Sequence, residues 1–588
     1  MFEHPPTTAH MFQDALAHHQ AGRLESAEAL YRRILEIDGR HVGSLHLLGV
    51  IARHRGRHDQ AEALIGAAFC LDPANPAALS DLGAIRHQQG KQAEAIAAYL
   101  RTLVICPEYG NVLNNLGLLL LERGQLGPAQ TCYRQALTLR PDFAEAWSNL
   151  GLVHQDWGKP EQAIVCYDRA LTVNPGDQNA RSNRLMALHY AAATTNADLL
   201  ATARQLFSVL VSAPDFPNDR DPHRRLRIGY VSGDLGNHPV GYFLGNVLTA
   251  HNRTAFDLFV YSNRRTDDAM TTRLFQSRDR WRRIADLSDD EAERAIRADR
   301  IDILVDLSGH TARNRLPLLA RRVAPVQATW LGYFGTTGLA AIDYILADGV
   351  VVPTDEERFF VERVWRLAGC YLCYAPHQLD IALSPPPAIG NGFVTFGCFN
   401  NRAKLTVETL ALWARILAEV PDSRLFLKTR ALTDGAVRQE IAAFFEKRGI
   451  MPTRLMFEGF SPLSEALAAY GRMDIALDPF PFGGGATTAE TLWMGVPLVT
   501  LKGGRWTGRM SADILAAAGI NDLTAIDADS YVAIARRLAG DLPGLAERRS
   551  TQRTLFETSR FCDGRHFAVT LEEAFRGMWR RWCGQVNV

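Results

Sequence analysis

Leu150-Gly-Leu-Val-His-Gln-Asp-Trp-Gly158-Lys-Pro-Glu-Gln-Ala163-Ile-Val-Cys-Tyr167-Asp-Arg-Ala-Leu171-Thr-Val-Asn-Pro175 decides how the first third of this 588-residue chain folds. Its marker residues recur every 34 positions. Gly158 closes a series with Gly22, Gly56, Gly90 and Gly124, and Ala163 closes one with Ala27, Ala61, Ala95 and Ala129. Gly151 follows Gly49, Gly83 and Gly117, and Pro175 follows Pro73, Pro107 and Pro141. Such a period describes a helix-turn-helix unit that cannot bury its apolar face alone and so stacks on its neighbours. Gly151 sits inside a helix, where glycine costs about 1 kcal/mol against alanine, so its recurrence predicts close helix-helix approach. Gly158 supplies the left-handed residue that ends the first helix. Ala163, Tyr167 and Leu171 continue a buried face at helical spacing, and Pro175 ends the unit.

A tetratricopeptide repeat accounts for each of these positions, which predicts an α-helical tetratricopeptide solenoid over residues 1–190. Residues 191–222 read as a capping helix, about 198–211, and a linker rich in proline and aspartate, 213–222. The texture then changes to short apolar runs alternating with helical patterns. Segments 226–233, 256–262 and 301–307 read as strands with a helix over 289–299, giving one parallel α/β lobe over 223–387. Segments 393–398, 423–428, 454–457, 474–477 and 496–500, with a helix over 407–419, give a second over 388–560, followed by a C-terminal helix in 561–588. The lobes are joined by the proline-rich stretch at 385–387. Ligands of such folds bind outside the carboxyl ends of the strands, here in the cleft between the lobes.

Sixty-four basic residues balance sixty-four acidic ones, which removes any global electrostatic reason to bind nucleic acid or anionic lipid. No apolar run reaches the roughly 18 residues of a membrane span, and the residues from Met1 to Pro5 lack a basic region followed by an apolar one. These readings predict a cytoplasmic protein with no nucleic-acid or membrane partner. The nine cysteines are scattered. Cys132 and Cys166 read as small core residues, and the lone pair Cys370 and Cys373 lacks the second pair or histidines of a zinc site.

Three stretches can carry chemistry. In the first, 236-GNHPVGY-242, His238 stands after the first strand of its lobe, where it either exchanges a proton or bonds a loop carbonyl. In the second, 399-FNNRAK-404, Lys404 stands between a strand and a helix start, a place that suits an anion such as phosphate and equally an ordinary exposed lysine. Lys428, at the end of the next strand, is a possible second phosphate contact. The third runs from Asp478 through Gly483, Gly484 and Gly485 to Thr487, Thr488 and Glu490. Glycines let the backbone approach a ligand, the threonines stand where a helix dipole begins, and Glu490 can grip vicinal ribose hydroxyls. Glycines, threonines, an acid and the following 494-MGVP-497 together form a nucleotide-sugar signature.

With these motifs the chain resembles the O-linked N-acetylglucosamine transferases in their bacterial form, and 324-APVQATWLGY-333 and 473-MDIALD-478 extend the resemblance over essentially its whole length. The resemblance implies a GT-B inverting glycosyltransferase that moves N-acetylglucosamine from UDP-GlcNAc to Ser or Thr hydroxyls of proteins, with no metal and no further cofactor. It implies that Lys404 neutralises the diphosphate and Glu490 holds the ribose. Asn401, Gly484, Gly485, Thr487 and Thr488 would complete the donor site, and His238 would line the sugar. The chain departs from the animal enzymes in lacking a long insertion between the lobes and a histidine near Gly485 and Ala486. The stretches 370-CYLCY-374, 399-FNNRAK-404 and 494-MGVP-497 are as similar to the plant protein O-fucosyltransferases, which keeps GDP-fucose open as the donor. A tetratricopeptide scaffold of weak activity is the rival class, and the presence of both Lys404 and Glu490 argues against it. Acceptor proteins are expected along the solenoid, where Asn115, Asn149 and Asn183, one repeat apart, would offer a ladder of amides that ends at Asp81.

Overall fold

The computed structural model describes residues 7–207, 215–275 and 279–584. The reading of Met1 to Pro5 lies outside them, as do positions 208–211 of the expected capping helix and 213–214 of the linker. The described residues form two compact units: one takes in the chain up to Val153 with Thr172–Pro175, the other His154–Leu171 and everything from Gly176.

The first unit is built of helix pairs of constant length. Val42–His54 with His58–Leu71, Pro76–Gln88 with Gln92–Ile105, and Gly110–Glu122 with Leu126–Leu139 each combine 13 and 14 residues. The glycines of the turn series take φ between 72° and 77°, the left-handed conformation that side chains resist. The glycines inside the first helices are required by close approach: a Cβ on Gly83 would stand 2.6 Å from the Tyr99 ring, and one on Gly117 2.8 Å from that of Tyr133. Each repeat thus seats a buried aromatic or aliphatic side chain of its second helix against a bare stretch of its first. The same logic places Ile65 against Gly49.

The second unit holds two parallel sheets. The first contains β1 (Leu226–Ser232), β2 (Phe256–Ser262), β3 (Arg280–Arg283), β4 (Ile303–Asp306), β5 (Val326–Thr329), β6 (Tyr344–Ala347) and β7 (Arg363–Arg366), in the order β3-β2-β1-β4-β5-β6-β7. The second contains β8 (Thr395–Cys398), β9 (Arg424–Lys428), β10 (Leu455–Glu458), β11 (Ile475–Leu477), β12 (Leu498–Leu501) and β13 (Thr524–Ala525), in the order β10-β9-β8-β11-β12-β13. In both, the order reverses beside the first strand. A crevice opens at such a point outside the carboxyl ends of the strands, so β1 with β4 and β8 with β11 deliver their loops to the functional region.

Two helices make contacts on which the sequence reading is silent. Helix Asn196–Phe207, expected to cap the stack, sets Leu199, Ala203 and Phe207 into one core with Leu185 of the last repeat helix and with Val231, Phe259 and Leu304 of the first sheet. Its apolar stripe thus joins the end of the repeats to the sheet. The C-terminal helix, Gly564–Trp582, returns to the first lobe. Phe567 stacks on Trp330 at 5.6 Å, and Glu572 bonds the buried His251 at 2.9 Å.

Candidate functional site

The end of β11 and the start of helix Ala486–Trp493 frame the glycine turn. Three consecutive glycines have no side chains to hold them, so their neighbours do. Asp478, buried at the end of β11, accepts the N–H of Gly484 at 2.8 Å and the hydroxyl of Thr500 at 2.8 Å. The hydroxyl of Ser511 donates to the Gly484 carbonyl at 3.1 Å and pairs with that of Thr488 at 2.9 Å. Thr488 is fully buried and its hydroxyl faces the core, so its contribution to a ligand is its backbone N–H, one of the first-turn groups without an intrahelical partner. Thr487 instead donates its hydroxyl to Asn400 Oδ1 at 3.0 Å.

Lys404 reaches this turn from the loop after β8. Its Nζ donates to the Gly483 carbonyl at 2.6 Å and to Asn400 Oδ1 at 3.3 Å, and lies 4.1 Å from the centre of the Phe482 ring. An ammonium has three N–H groups, and among the described residues the third has no acceptor. Burial pulls the Lys404 pKa down to about 8, against the opposing pull of Asp478 and Cys398. The lysine is therefore a cation near neutral pH, held by neutral oxygens and an aromatic face, with attraction to spare for an anion. It is Asn400, not Asn401, that touches it. Asn401 turns outward and caps the short turn Arg402–Lys404 through the Ala403 N–H at 3.1 Å.

His238 caps helix Pro239–Ala250 after β1: its Nδ1 accepts the Val240 N–H at 3.3 Å and lies 4.0 Å from Asp234, itself paired to Arg313 at 2.8 Å. Burial lowers its pKa, Asp234 opposing. With Nδ1 accepting, the neutral ring carries its proton on Nε2 and acts there as a donor. One turn on, Tyr242 meets His377 edge-on at 4.6 Å, and His377 Nε2 pairs with Glu490 Oε1 at 3.4 Å. His377, from the segment between the lobes, thus ties the helix that His238 starts to the helix that bears Glu490. Sequence reasoning passes over it, and it gives no role to Asn400, Asp478 or Phe482 although they fall within or beside its motifs; the run 374-YAPH-377 carries no spacing signal.

Lys428 does not join this group. Parallel register sets it beside Glu458, to which it donates at 3.2 Å, with a second bond to the Gly459 carbonyl at 3.2 Å. The same carboxylate accepts from Arg472 at 2.6 Å, so it is shared between two cations. In the solenoid, Asn149 donates to Asn114 Oδ1 at 3.0 Å and Asn115 bonds the buried Tyr99 hydroxyl, so both amides already tie neighbouring helices together. Asn183, half-buried, belongs to the second unit. Asp81, where the ladder was expected to end, pairs with His46 at 2.8 Å. Cys370 faces Asp513 at 2.9 Å, with Asp348 beside them, rather than Cys373.

Residues 197–382 and 386–571 match Glycosyl transferase family 41, and residues 83–124, 117–158 and 144–177 match tetratricopeptide repeats. The chain is 39% identical over 418 residues to "Probable UDP-N-acetylglucosamine--peptide N-acetylglucosaminyltransferase SPINDLY" of Petunia hybrida, a match that takes in 69% of this chain and 44% of that protein. A similarly titled SEC protein of Arabidopsis thaliana is 30% identical over 370 residues, with 61% of this chain and 38% of that one aligned. The chain spans less than half the length of these curated relatives. The solved structure of a Thermobaculum terrenum O-GlcNAc transferase mutant superposes with a TM-score of 0.82 at 39% identity, covering 87% of this chain and 99% of that one. No described helix is long and apolar enough to cross a membrane.

Proposed function

The chain belongs to glycosyl transferase family 41, and from that premise we propose that it transfers N-acetylglucosamine from UDP-GlcNAc to Ser or Thr hydroxyls of protein acceptors. The observation that carries the reading is the Lys404 ammonium at the glycine turn, with one N–H unspent. Transfer breaks the bond between the sugar and the diphosphate and leaves growing negative charge on the phosphate. A fixed cation beside a helix start stabilises that charge where it develops, which lowers the barrier rather than merely tightening binding. Lys404 and the first-turn N–H groups of helix Ala486–Trp493 supply this without a metal clamp. Glu490, oriented by His377, takes the ribose. His238 donates from Nε2 toward the sugar and its phosphate rather than serving as the base. The relatives' printed names support N-acetylglucosamine as the sugar.

A thermal-shift titration tests the donor, since a ligand that binds only the native state stabilises it by an amount set by its affinity. UDP is expected to raise the midpoint more than GDP, and to do so equally with EDTA present. A larger rise with GDP would reassign the donor to GDP-fucose, and loss of the UDP shift in EDTA would bring in a metal. No shift with either nucleotide would favour the scaffold reading.

Protein acceptors are proposed to lie along the repeats. Because the Asn149 amide also holds Asn114, its replacement separates two outcomes. An Asn149→Ala variant that modifies protein acceptors several-fold more slowly, with donor hydrolysis and melting temperature unchanged, supports a peptide-binding amide. A lowered melting temperature with normal modification per folded molecule assigns it to the repeat core.

A further inference from the structure

We infer that the last solenoid helix, Gln178–Tyr190, is a working part of the donor site: Tyr190 is a positioning residue that fixes Lys404 and the glycine turn through Phe482. The inference rests on Lys404 as the diphosphate cation and adds the part of the protein that holds it in place.

Phe482 precedes the three glycines and is almost wholly buried, 4% exposed. Three regions of the chain converge on its ring. Tyr190 stacks on it at 5.2 Å with the planes 19° apart, and His189 meets it at 6.5 Å, both from the solenoid helix. Phe334 of the first lobe meets it edge-on at 5.5 Å. Lys404 lies over it at 4.1 Å. A ring has two faces, and a stacked phenol and an ammonium each require one.

The helix is pinned where it delivers Tyr190. Arg505 of the second lobe donates to the carbonyls of Leu188 at 3.2 Å and Ala191 at 3.0 Å, at the carboxyl end of the helix. The His189 ring bonds the Tyr333 hydroxyl of the first lobe at 2.9 Å. The turn itself has Asp478 on one side, through the Gly484 N–H, and Phe482 on the other. With no side chains at 483–485, Phe482 joins Asp478, Ser511 and the Thr507 carbonyl, which accepts the Gly483 N–H at 3.0 Å, in setting where the Gly483 carbonyl meets Lys404.

The titratable groups facing Lys404 are few. Asp478 and Cys398 act on it from β11 and β8, and His189 is kept neutral because burial pulls its pKa down to about 3. The Phe482 ring, held by Tyr190 and Phe334, is a cover over one side of the ammonium. Removing it returns the lysine toward its ordinary pKa.

The test measures UDP and GDP binding by calorimetry between pH 6.5 and 10 for the full chain and for Tyr190→Ala, Tyr190→Phe, Phe482→Leu and Lys404→Ala, each checked by circular dichroism. In the parent protein, nucleotide affinity is expected to fall as pH rises through about 8, where free Lys404 loses its proton. Tyr190→Ala should bind about tenfold more weakly, the order of one buried cation–π contact, with its alkaline decline moved to higher pH. Tyr190→Phe, which keeps the ring, should behave as the parent. Phe482→Leu, which keeps much of the volume and loses the face, should behave as Tyr190→Ala and stands in for it if that variant does not fold. Parental affinity and parental alkaline decline in Tyr190→Ala or Phe482→Leu, with binding lost in Lys404→Ala, would overturn the inference alone. Weakened affinity with an unmoved alkaline decline would overturn it too, as simple loosening. Parental binding of both nucleotides by Lys404→Ala would instead remove the premise.

Discussion

Replacing Lys404 by alanine is expected to slow sugar transfer at saturating donor by at least about a hundredfold, the usual cost of deleting one electrostatic contact to the charge that develops in a transition state. The expected loss falls on kcat as well as on kcat/KM, because the leaving diphosphate gains charge along the reaction and the ammonium stabilises the later state more. Stability should change little or rise. In the free protein the lysine is a half-buried cation that lacks a salt-bridge partner among the described residues, and its removal relieves a desolvated charge. Single-turnover transfer and a melting curve check both halves. Retained turnover in folded protein would remove Lys404 from the mechanism. His238→Ala provides the contrast: it caps a first-lobe helix, so turnover should fall while UDP affinity, held by the second lobe, stays near parental.

Gly484→Val is expected to abolish measurable donor binding. A Cβ at this position would stand 2.3 Å from Thr488 Oγ1 and 2.7 Å from Thr487 Oγ1. Neither hydroxyl is a free flexible end: Thr488 is locked to Ser511 inside the core and Thr487 to Asn400. The backbone must give way, and the Gly484 N–H then leaves Asp478, whose carboxylate is buried. Overpacking together with a lost buried hydrogen bond should cost about 2–4 kcal/mol of stability. UDP titration of the folded fraction is expected to give no saturable signal. Parental affinity would mean the turn is not where the diphosphate sits.

The repeat is legible because a solenoid writes one physical requirement many times, so chance cannot imitate Gly22 to Gly158. β1 and β2 are legible because strands buried on both faces need near-continuous apolar runs, and helix Val407–Glu419 because its cap and stripe agree. The strands β3, β5, β6 and β7 pass unread: each is only four residues long, and their sequences RWRR, VQAT, YILA and RVWR give at most a short mixed run, β3 lying at a sheet edge and mostly exposed. Within the site, composition singles out residues that are unusual in sequence, which are glycines, threonines and a lysine after a strand. It does not distinguish Asn400 from Asn401, since adjacent residues of a loop point in different directions and only the fold decides which faces Lys404. Nor can it show Tyr190 meeting Phe482, because that contact joins positions nearly three hundred residues apart and depends on how a solenoid helix packs against a sheet domain.

The return of helix Gly564–Trp582 to the first lobe gives the two α/β lobes a second covalent tie. The chain leaves the first lobe after Tyr374, whose N–H donates to the Phe561 carbonyl at 2.9 Å, and comes back through that same place; Asn246 donates to the carbonyls of both Tyr374 and Cys562. Outgoing and incoming strands of the crossing are therefore clasped side by side, like the two straps of one hinge. The lobes also meet away from this place, at the Arg509–Glu356 ion pair and the Tyr371–Trp506 ring contact, so a swing about the Tyr374 and Phe561 clasp that widened the cleft would have to part those contacts while leaving the clasp closed.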